Sequence, residues 1–183
     1  MGGSGPHRHE QQGGSGEAHS LPSGHARQIA VIGSSRLELG AELARMAEEV
    51  GGLLAEAGAT VVCGGMGGVM EAACRGSSQA GGEAIGIVPG HEVGEANEFC
   101  THVVATGIGH ARNLAVVSSG EVVIAIGGEW GTLSEIGFAR SLGRSVIALR
   151  SWELSGRERM AGAPGVTPAD SAREAVDLAL AAL

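Results

Sequence analysis

The sequence predicts an α/β fold in which a doubly wound parallel sheet carries helices on both of its faces. Short apolar runs alternate with stretches of helical periodicity from Gln28 onward, and such alternation implies right-handed crossovers between parallel strands. Several runs are apolar at successive positions, as expected for strands that are buried on both sides. A chain of 183 residues, 43% hydrophobic and 17% charged, is long enough for one compact domain with a full core.

The individual elements follow from the spacing of apolar residues. Six short runs have the composition of strands, at residues 29–32, 60–62, 84–88, 102–105, 122–126 and 145–149. Five stretches repeat apolar residues at steps of three and four, which indicates helices. They span residues 39–54, with Gly58 as the stop signal, 69–79, 111–118, 132–142, and a last helix capped by Thr167, with Pro168 at its first position, that runs to residue 183.

The N-terminal segment and the cysteines bound the organisation of the chain. Residues 1–26 are rich in Gly, Ser, His and Gln without apolar periodicity, which predicts a disordered tail followed by a single domain over residues 27–183. The three cysteines, Cys63, Cys74 and Cys100, are odd in number and have no C-x-x-C spacing. This pattern argues against both a disulfide framework and a zinc knuckle, so we expect reduced thiols and no metal site.

Composition excludes several classes of function. The formal net charge is -8, which disfavours nucleic acid and anionic membranes as partners and requires any anionic ligand to be held by a local site. No apolar run is long enough for a membrane span or a signal core, so a cytoplasmic location is expected. The sequence contains 12 arginines and no lysine. It therefore supplies neither the Schiff-base amine of pyridoxal phosphate nor the lysine of a Walker phosphate loop.

Three glycine-rich turns follow predicted strands and are the predicted ligand-binding segments. Ligands of such sheets bind beyond the carboxyl ends of the strands, where small residues admit a phosphate to free backbone N–H groups at a helix N-terminus. Tight-turn chemistry alone also explains a single turn of this kind. The predicted ligand contacts are Gly33, Ser34 and Ser35 in the first turn, Gly65, Met66, Gly67 and Gly68 in the second, and Gly127, Gly128, Gly131 and Thr132 in the third.

Two charged residues complete the predicted site. Glu135 lies one turn into the helix after the third loop, where a carboxylate would repel a bound phosphate unless it has another task. Thr132 and Glu135 also fit a capping box, the purely structural alternative. Arg112 lies near the start of a helix, where the dipole disfavours a cation, and an arginine facing Glu135 would offset ligand charge and fix the carboxylate.

These motifs resemble those of the LOG family, once mislabelled lysine decarboxylases. The resemblance rests on the segments 67–71, 112–113 and 128–135 and covers about residues 28–150. It implies a Rossmann-like fold, a homodimer or homotetramer, no required cofactor, and release of a free base and ribose 5-phosphate from nucleoside 5'-monophosphates. Arg112 and Glu135 take the catalytic positions, and Gly128, Gly131 and Thr132 take the phosphate loop.

Four positions depart from the hydrolase pattern and define an alternative. This chain has Asn113, which we place among the ligand contacts, at the position where the hydrolases have Lys. It has Gly127 where they have Pro, and Glu129 and Glu71 where they have Gly. This pattern is most similar to the branch that includes the molybdenum cofactor carrier protein. The resemblance therefore leaves two hypotheses. The first is a phosphoribohydrolase in which Glu135 stabilises an oxocarbenium-like transition state. The second is a carrier or sensor that binds a ligand without cleaving it, either a phosphorylated pterin (the molybdenum cofactor) or a nucleotide.

Overall fold

The computed structural model describes residues 26–36, 40–152 and 165–183. These residues form a parallel sheet of seven strands in the order β4-β3-β2-β1-β5-β6-β7. The strands are β1 (Gln28–Gly33), β2 (Thr60–Cys63), β3 (Ala84–Val88), β4 (His102–Ala105), β5 (Val122–Ile126), β6 (Ser145–Leu149) and β7 (Val166–Ala169). The predicted α/β class with a parallel Rossmann-like sheet is confirmed.

In the described residues, five α-helices cover the two faces of the sheet. They are α1 (Ala41–Glu56), α2 (Val69–Gln79), α3 (Arg112–Ser119), α4 (Trp130–Ser141) and α5 (Ala172–Ala181). Successive residues of a strand point to opposite faces, so Ile29 and Val31 pack with α1, α2 and α5, whereas Ala30 and Ile32 pack with α3 and α4. Burial of β1 on both sides explains why its sequence is apolar at successive positions.

The predicted element boundaries hold in the centre of the chain and fail near its end. Helix α1 ends as predicted, because Gly58 adopts φ 72° after the C-cap Ala57. The predicted last helix begins too early: Pro168 lies in β7, an edge strand, where a residue without an N–H is tolerated. Helix α5 begins after Ser171, whose hydroxyl accepts a hydrogen bond from the Glu174 N–H at 3.2 Å.

Helix α4 begins two residues before its predicted start. Its N-cap is Glu129 and its first residue is Trp130, so Thr132 lies in the first turn and the proposed capping box of Thr132 with Glu135 does not form. Residues 1–25 of the predicted tail, and Leu39 of the first predicted helix, lie outside the described residues. Within the described ranges, no helix has the length and apolar character needed to cross a membrane.

The strand order fixes where a ligand can bind. The chain winds outward from β1 through β2 and β3 to β4 and then returns to the other side of β1 with β5. Loops on either side of this switch point leave opposite faces of the sheet and open a crevice at the carboxyl ends of the strands. The loops after β1, β2 and β5 therefore surround one crevice.

Candidate functional site

The first and second loops are in direct contact. Gly68 has φ 68°, and a side chain there would collide with the Ser34 carbonyl oxygen. The Val69 N–H donates to that same oxygen at 3.0 Å. A Cβ at Gly33 would lie 2.6 Å from the Ile126 carbonyl oxygen. Glycine is thus required at Gly33 and Gly68 to bring the ends of β1, β5 and α2 together.

The third loop leads directly into the first turn of α4. Gly127 and Gly128 have φ values of 55° and 112°, and a Cβ on Gly128 would lie 2.6 Å from the Thr132 hydroxyl oxygen. The first N–H groups of a helix have no partner within the helix, and they carry the positive end of its dipole. Gly131 and Thr132 are the second and third residues of α4, so their amides are available to an anion in the crevice.

The remaining predicted contacts lie around this crevice with different exposure. Ser35 is exposed, whereas Met66 and Gly67 are half-buried. An exposed ion pair, Arg36 Nε to Glu129 Oε1 at 3.2 Å, joins the first loop to the third. All three predicted turns therefore converge, with Arg36 as a cation at the rim that the sequence prediction did not include.

Arg112 and Glu135 face each other beneath the loops, on α3 and α4. They are 8% and 7% exposed, and Nη1 of Arg112 lies 4.0 Å from Oε1 of Glu135. Nη1 also donates to Oδ1 of Asn113 at 2.8 Å. The guanidinium lies against Gly64, where a Cβ would come within 2.6 Å of the guanidinium carbon. The predicted pairing is observed, and Asn113 positions the arginine.

Burial dominates the electrostatics of this pair. Desolvation raises the pKa of Glu135 from 4.5 to about 7, although the attraction of Arg112 acts in the opposite direction. Desolvation likewise lowers the pKa of Arg112. Its buried Nε has no hydrogen-bond partner among the described residues. A buried donor without a partner is costly, so the pair has unused capacity to bind a ligand.

Sequence reasoning missed the residues that hold the loops in place. The Asn97 side-chain amide donates to the carbonyl oxygens of Gly65 and Met66 at 3.1 and 3.0 Å. Ser151 donates its hydroxyl to the Gly127 carbonyl oxygen at 2.6 Å, and Trp152 donates its indole N–H to the Glu129 carbonyl oxygen at 3.3 Å. Asn97 follows β3, and Ser151 and Trp152 follow β6. They belong to no recognisable sequence motif, so only the fold brings them to the site.

One group of three potential metal ligands occurs in the described parts of the chain. It consists of Cys63, Cys74 and Cys100, and all three are free thiols. The reduced state of these cysteines stays a prediction. We did not predict from the sequence that the three cysteines converge, because the C-x-x-C criterion detects only cysteines that are close in sequence.

Comparisons with known proteins agree with this architecture. A solved molybdenum cofactor binding protein from Rippkaea orientalis superimposes with a TM-score of 0.77, is 32% identical, and covers 87% of this chain and 98% of its own. The molybdenum cofactor carrier protein from Chlamydomonas reinhardtii has a TM-score of 0.76 and 27% identity, covering 86% and 98% of the two chains. An uncharacterized protein from Archaeoglobus fulgidus is 42% identical over 123 residues, 67% of this chain and 80% of that protein.

The family assignment rests on a match along most of the chain. The model of the SLOG cluster4 family, within the superfamily that includes LOG-like proteins, matches residues 26–176. The predicted resemblance to LOG-like proteins and to the branch with the molybdenum cofactor carrier protein is thereby confirmed. This chain belongs to the SLOG cluster4 family.

Proposed function

We propose that this protein binds a phosphorylated pterin of the molybdenum cofactor class and carries it without cleaving it. The observation that carries the proposal is the convergence of three glycine-lined loops on the free first turn of α4, beside a buried arginine with an unpartnered Nε. Similar structures from Rippkaea orientalis and Chlamydomonas reinhardtii, which match over nearly their whole length, are named for binding or carrying this cofactor.

The residues fit an anionic ligand with one phosphate. The amides of Gly131 and Thr132 would hold the phosphate at the α4 N-terminus, and Arg112 would neutralise part of its charge. A Cβ added to Gly131 would meet no protein atom within 4 Å, so the backbone there is open to a ligand. The net charge of -8 favours a small ligand held at this local site over nucleic acid.

Ligand retention tests the proposal. The protein purified gently from a host that makes the molybdenum cofactor should retain a phosphorylated pterin in native mass spectrometry. The Gly131→Ala variant should lose about tenfold or more in affinity, because the added methyl group blocks close approach to the backbone. Gly137→Ala is the matched control, since Gly137 lies on the same helix and its added Cβ would also meet no protein atom within 4 Å.

Two outcomes would overturn the carrier proposal. Persistent absence of pterin from the wild-type protein, together with no binding of the purified pterin in solution, would remove its basis. Equal affinity of Gly131→Ala and Gly137→Ala would show that the ligand does not approach the start of α4. Because neither added Cβ has a protein neighbour within 4 Å, loss of folding does not confuse this comparison.

A nucleoside 5'-monophosphate phosphoribohydrolase is the second candidate function. It is suggested by the buried pair of Arg112 and Glu135, because Glu135 in its ionised form, beneath a ribose, could stabilise the positive charge of the transition state. Incubation with a panel of nucleoside monophosphates, followed by assay of free base, tests this candidate. Release that Glu135→Ala abolishes would support it, whereas no release from any monophosphate would reject it.

We also infer self-association and a cytoplasmic location. Leu114 of α3, Phe138 of α4 and Leu142, the C-cap residue of α4, are 43%, 41% and 47% exposed, which suits burial in a homodimer or homotetramer. Light scattering after size-exclusion chromatography measures the assembly, and a Leu142→Glu variant should dissociate it. The free thiols favour a reducing compartment, which fractionation of cells can test.

A further inference from the structure

The three cysteines of the chain meet at one point behind the second loop. Cys63 ends β2, Cys74 lies within α2, and Cys100 lies between β3 and β4. The Sγ atoms of Cys63 and Cys74 are 3.4 Å apart, those of Cys74 and Cys100 are 3.7 Å apart, and all three lie within 4.8 Å of one another. Within the described residues, this group includes no imidazole or carboxylate.

The fold leaves space for all three sulfur atoms. Cys63 pairs with Gly86 of β3 across the sheet, and a Cβ on Gly86 would lie 2.7 Å from the Cys100 sulfur. The Gly65 N–H donates to the Cys63 sulfur at 3.3 Å. Such an N–H donor stabilises a thiolate, the form of cysteine that binds metals. Cys100 is only half-buried, which provides a path of entry for an ion.

The distances suit one cation bound by three sulfurs. A metal–sulfur bond of about 2.3 Å places sulfurs about 4.0 Å apart in a trigonal arrangement. Soft thiolate ligands select Cu(I) and zinc, and structural zinc is almost always four-coordinate. Because the group offers three sulfurs and no fourth protein ligand in the described residues, the donor set favours the copper ion.

We propose that Cys63, Cys74 and Cys100 form a three-coordinate thiolate site for a soft monovalent cation of the Cu(I) class. Binding forms three copper–sulfur bonds, each coordinating thiol releases its proton to solvent, and no electron is transferred. Arg112 lies against Gly64, next to Cys63 in the chain, and interacts electrostatically with Cys63. This cation offsets part of the negative charge of the loaded site.

This site is independent of the proposed pterin binding and is tested without any pterin. The reduced full-length protein is titrated anaerobically with Cu(I) in competition with a colorimetric Cu(I) chelator. We expect one copper ion per chain, retained against the chelator, and three sulfur neighbours in X-ray absorption at the copper edge. Failure to retain copper, a coordination shell that is not three sulfurs, or a preference for Zn²⁺ over Cu(I) would overturn the proposal.

Variants connect the binding to the cysteines. Replacement of Cys63, Cys74 or Cys100 by serine should each weaken copper binding by more than the roughly tenfold that loss of an outer-shell partner costs. Ser77→Ala is the control, because Ser77 is a buried residue of the same helix as Cys74 and lies outside the sulfur group. Circular dichroism reports folding; where a serine variant does not fold, the sulfur count of the wild-type protein decides. Unchanged copper binding in all folded serine variants would overturn the site.

Discussion

Replacement of Glu135 by glutamine should remove a pH-dependent loss of stability that the buried carboxyl imposes on the fold. The Glu135 side chain is 9% exposed, and burial raises its pKa from 4.5 to about 7 in spite of Arg112. The unfolded chain returns the group to its ordinary pKa. A carboxyl whose pKa is higher in the folded state stabilises that state at low pH; this contribution is complete below about 4.5 and is lost as the pH rises through about 7.

The size of the effect follows from the interval between the two pKa values. At about 1.4 kcal/mol for each pH unit, the interval from 4.5 to about 7 corresponds to a loss of about 3 kcal/mol in the free energy of unfolding. Glutamine keeps the shape of the side chain and does not titrate. The attraction of Arg112 acts only on the carboxylate and is already contained in this pKa. The amide itself adds an offset that does not vary with pH, so the pH dependence, and not the absolute stability, is the diagnostic quantity.

Urea unfolding of both proteins at intervals from about pH 4.5 to about 8 measures this dependence. The stability of the wild type minus that of Glu135→Gln should fall by about 3 kcal/mol across the range, because all other titrating groups are common to both proteins and cancel. Glu49→Gln, which removes an exposed carboxylate from α1, should give a nearly constant difference. Parallel curves for the wild type and Glu135→Gln would refute the reasoning that burial outweighs the ion pair.

Three further outcomes follow from the same contacts. Arg112→Ala should destabilise the protein by about 3 kcal/mol at pH 8 and by less at pH 5, where Glu135 is protonated, as urea unfolding would report. Affinity for a phosphorylated ligand should fall in the wild type relative to Glu135→Gln as the pH rises through about 7, measured by calorimetry. Ser151→Ala should weaken ligand binding, because it removes the hydrogen bond that holds the Gly127 carbonyl oxygen. Ser141→Ala, which removes an exposed hydrogen bond to the Phe138 carbonyl oxygen, should leave ligand binding unchanged.

The sequence was most informative where one local rule determines the structure. The apolar runs of β1 and β5 identify buried parallel strands, because both faces of those strands are covered by helices. The stop at Gly58 follows from its positive φ. Pro168 misled the prediction because proline suits both the first turn of a helix and an edge strand. Which environment it occupies depends on β6, its partner across the sheet.

The loops of the site could be predicted from the sequence, but the residues that hold those loops in place could not. A parallel sheet places strand ends on one edge, so three glycine-rich turns converge by topology alone. Asn97 and Ser151 act through hydrogen bonds to backbone carbonyl groups far away in sequence. Many residue types can serve that purpose, so no residue pattern marks them. The cysteines converge for the same topological reason as the loops, since Cys63 lies at the end of β2 beside β3.

The protonation of Glu135 bears on the choice between carrying and cleaving. With a pKa of about 7, this carboxyl is about half-protonated near neutral pH, and a ligand phosphate beside it would raise the pKa further. A protonated carboxyl can donate a hydrogen bond to an anion, but it contributes little to stabilising a positively charged transition state. As a carboxylate in a cleavage reaction, Glu135 would need more stabilisation than Arg112 provides at 4.0 Å, where the cost of burial exceeds the attraction. The observed separation of Arg112 from Glu135, with one guanidinium N–H bonded to Asn113, therefore favours a site that binds an anionic ligand over a site that cleaves a glycosidic bond of that ligand.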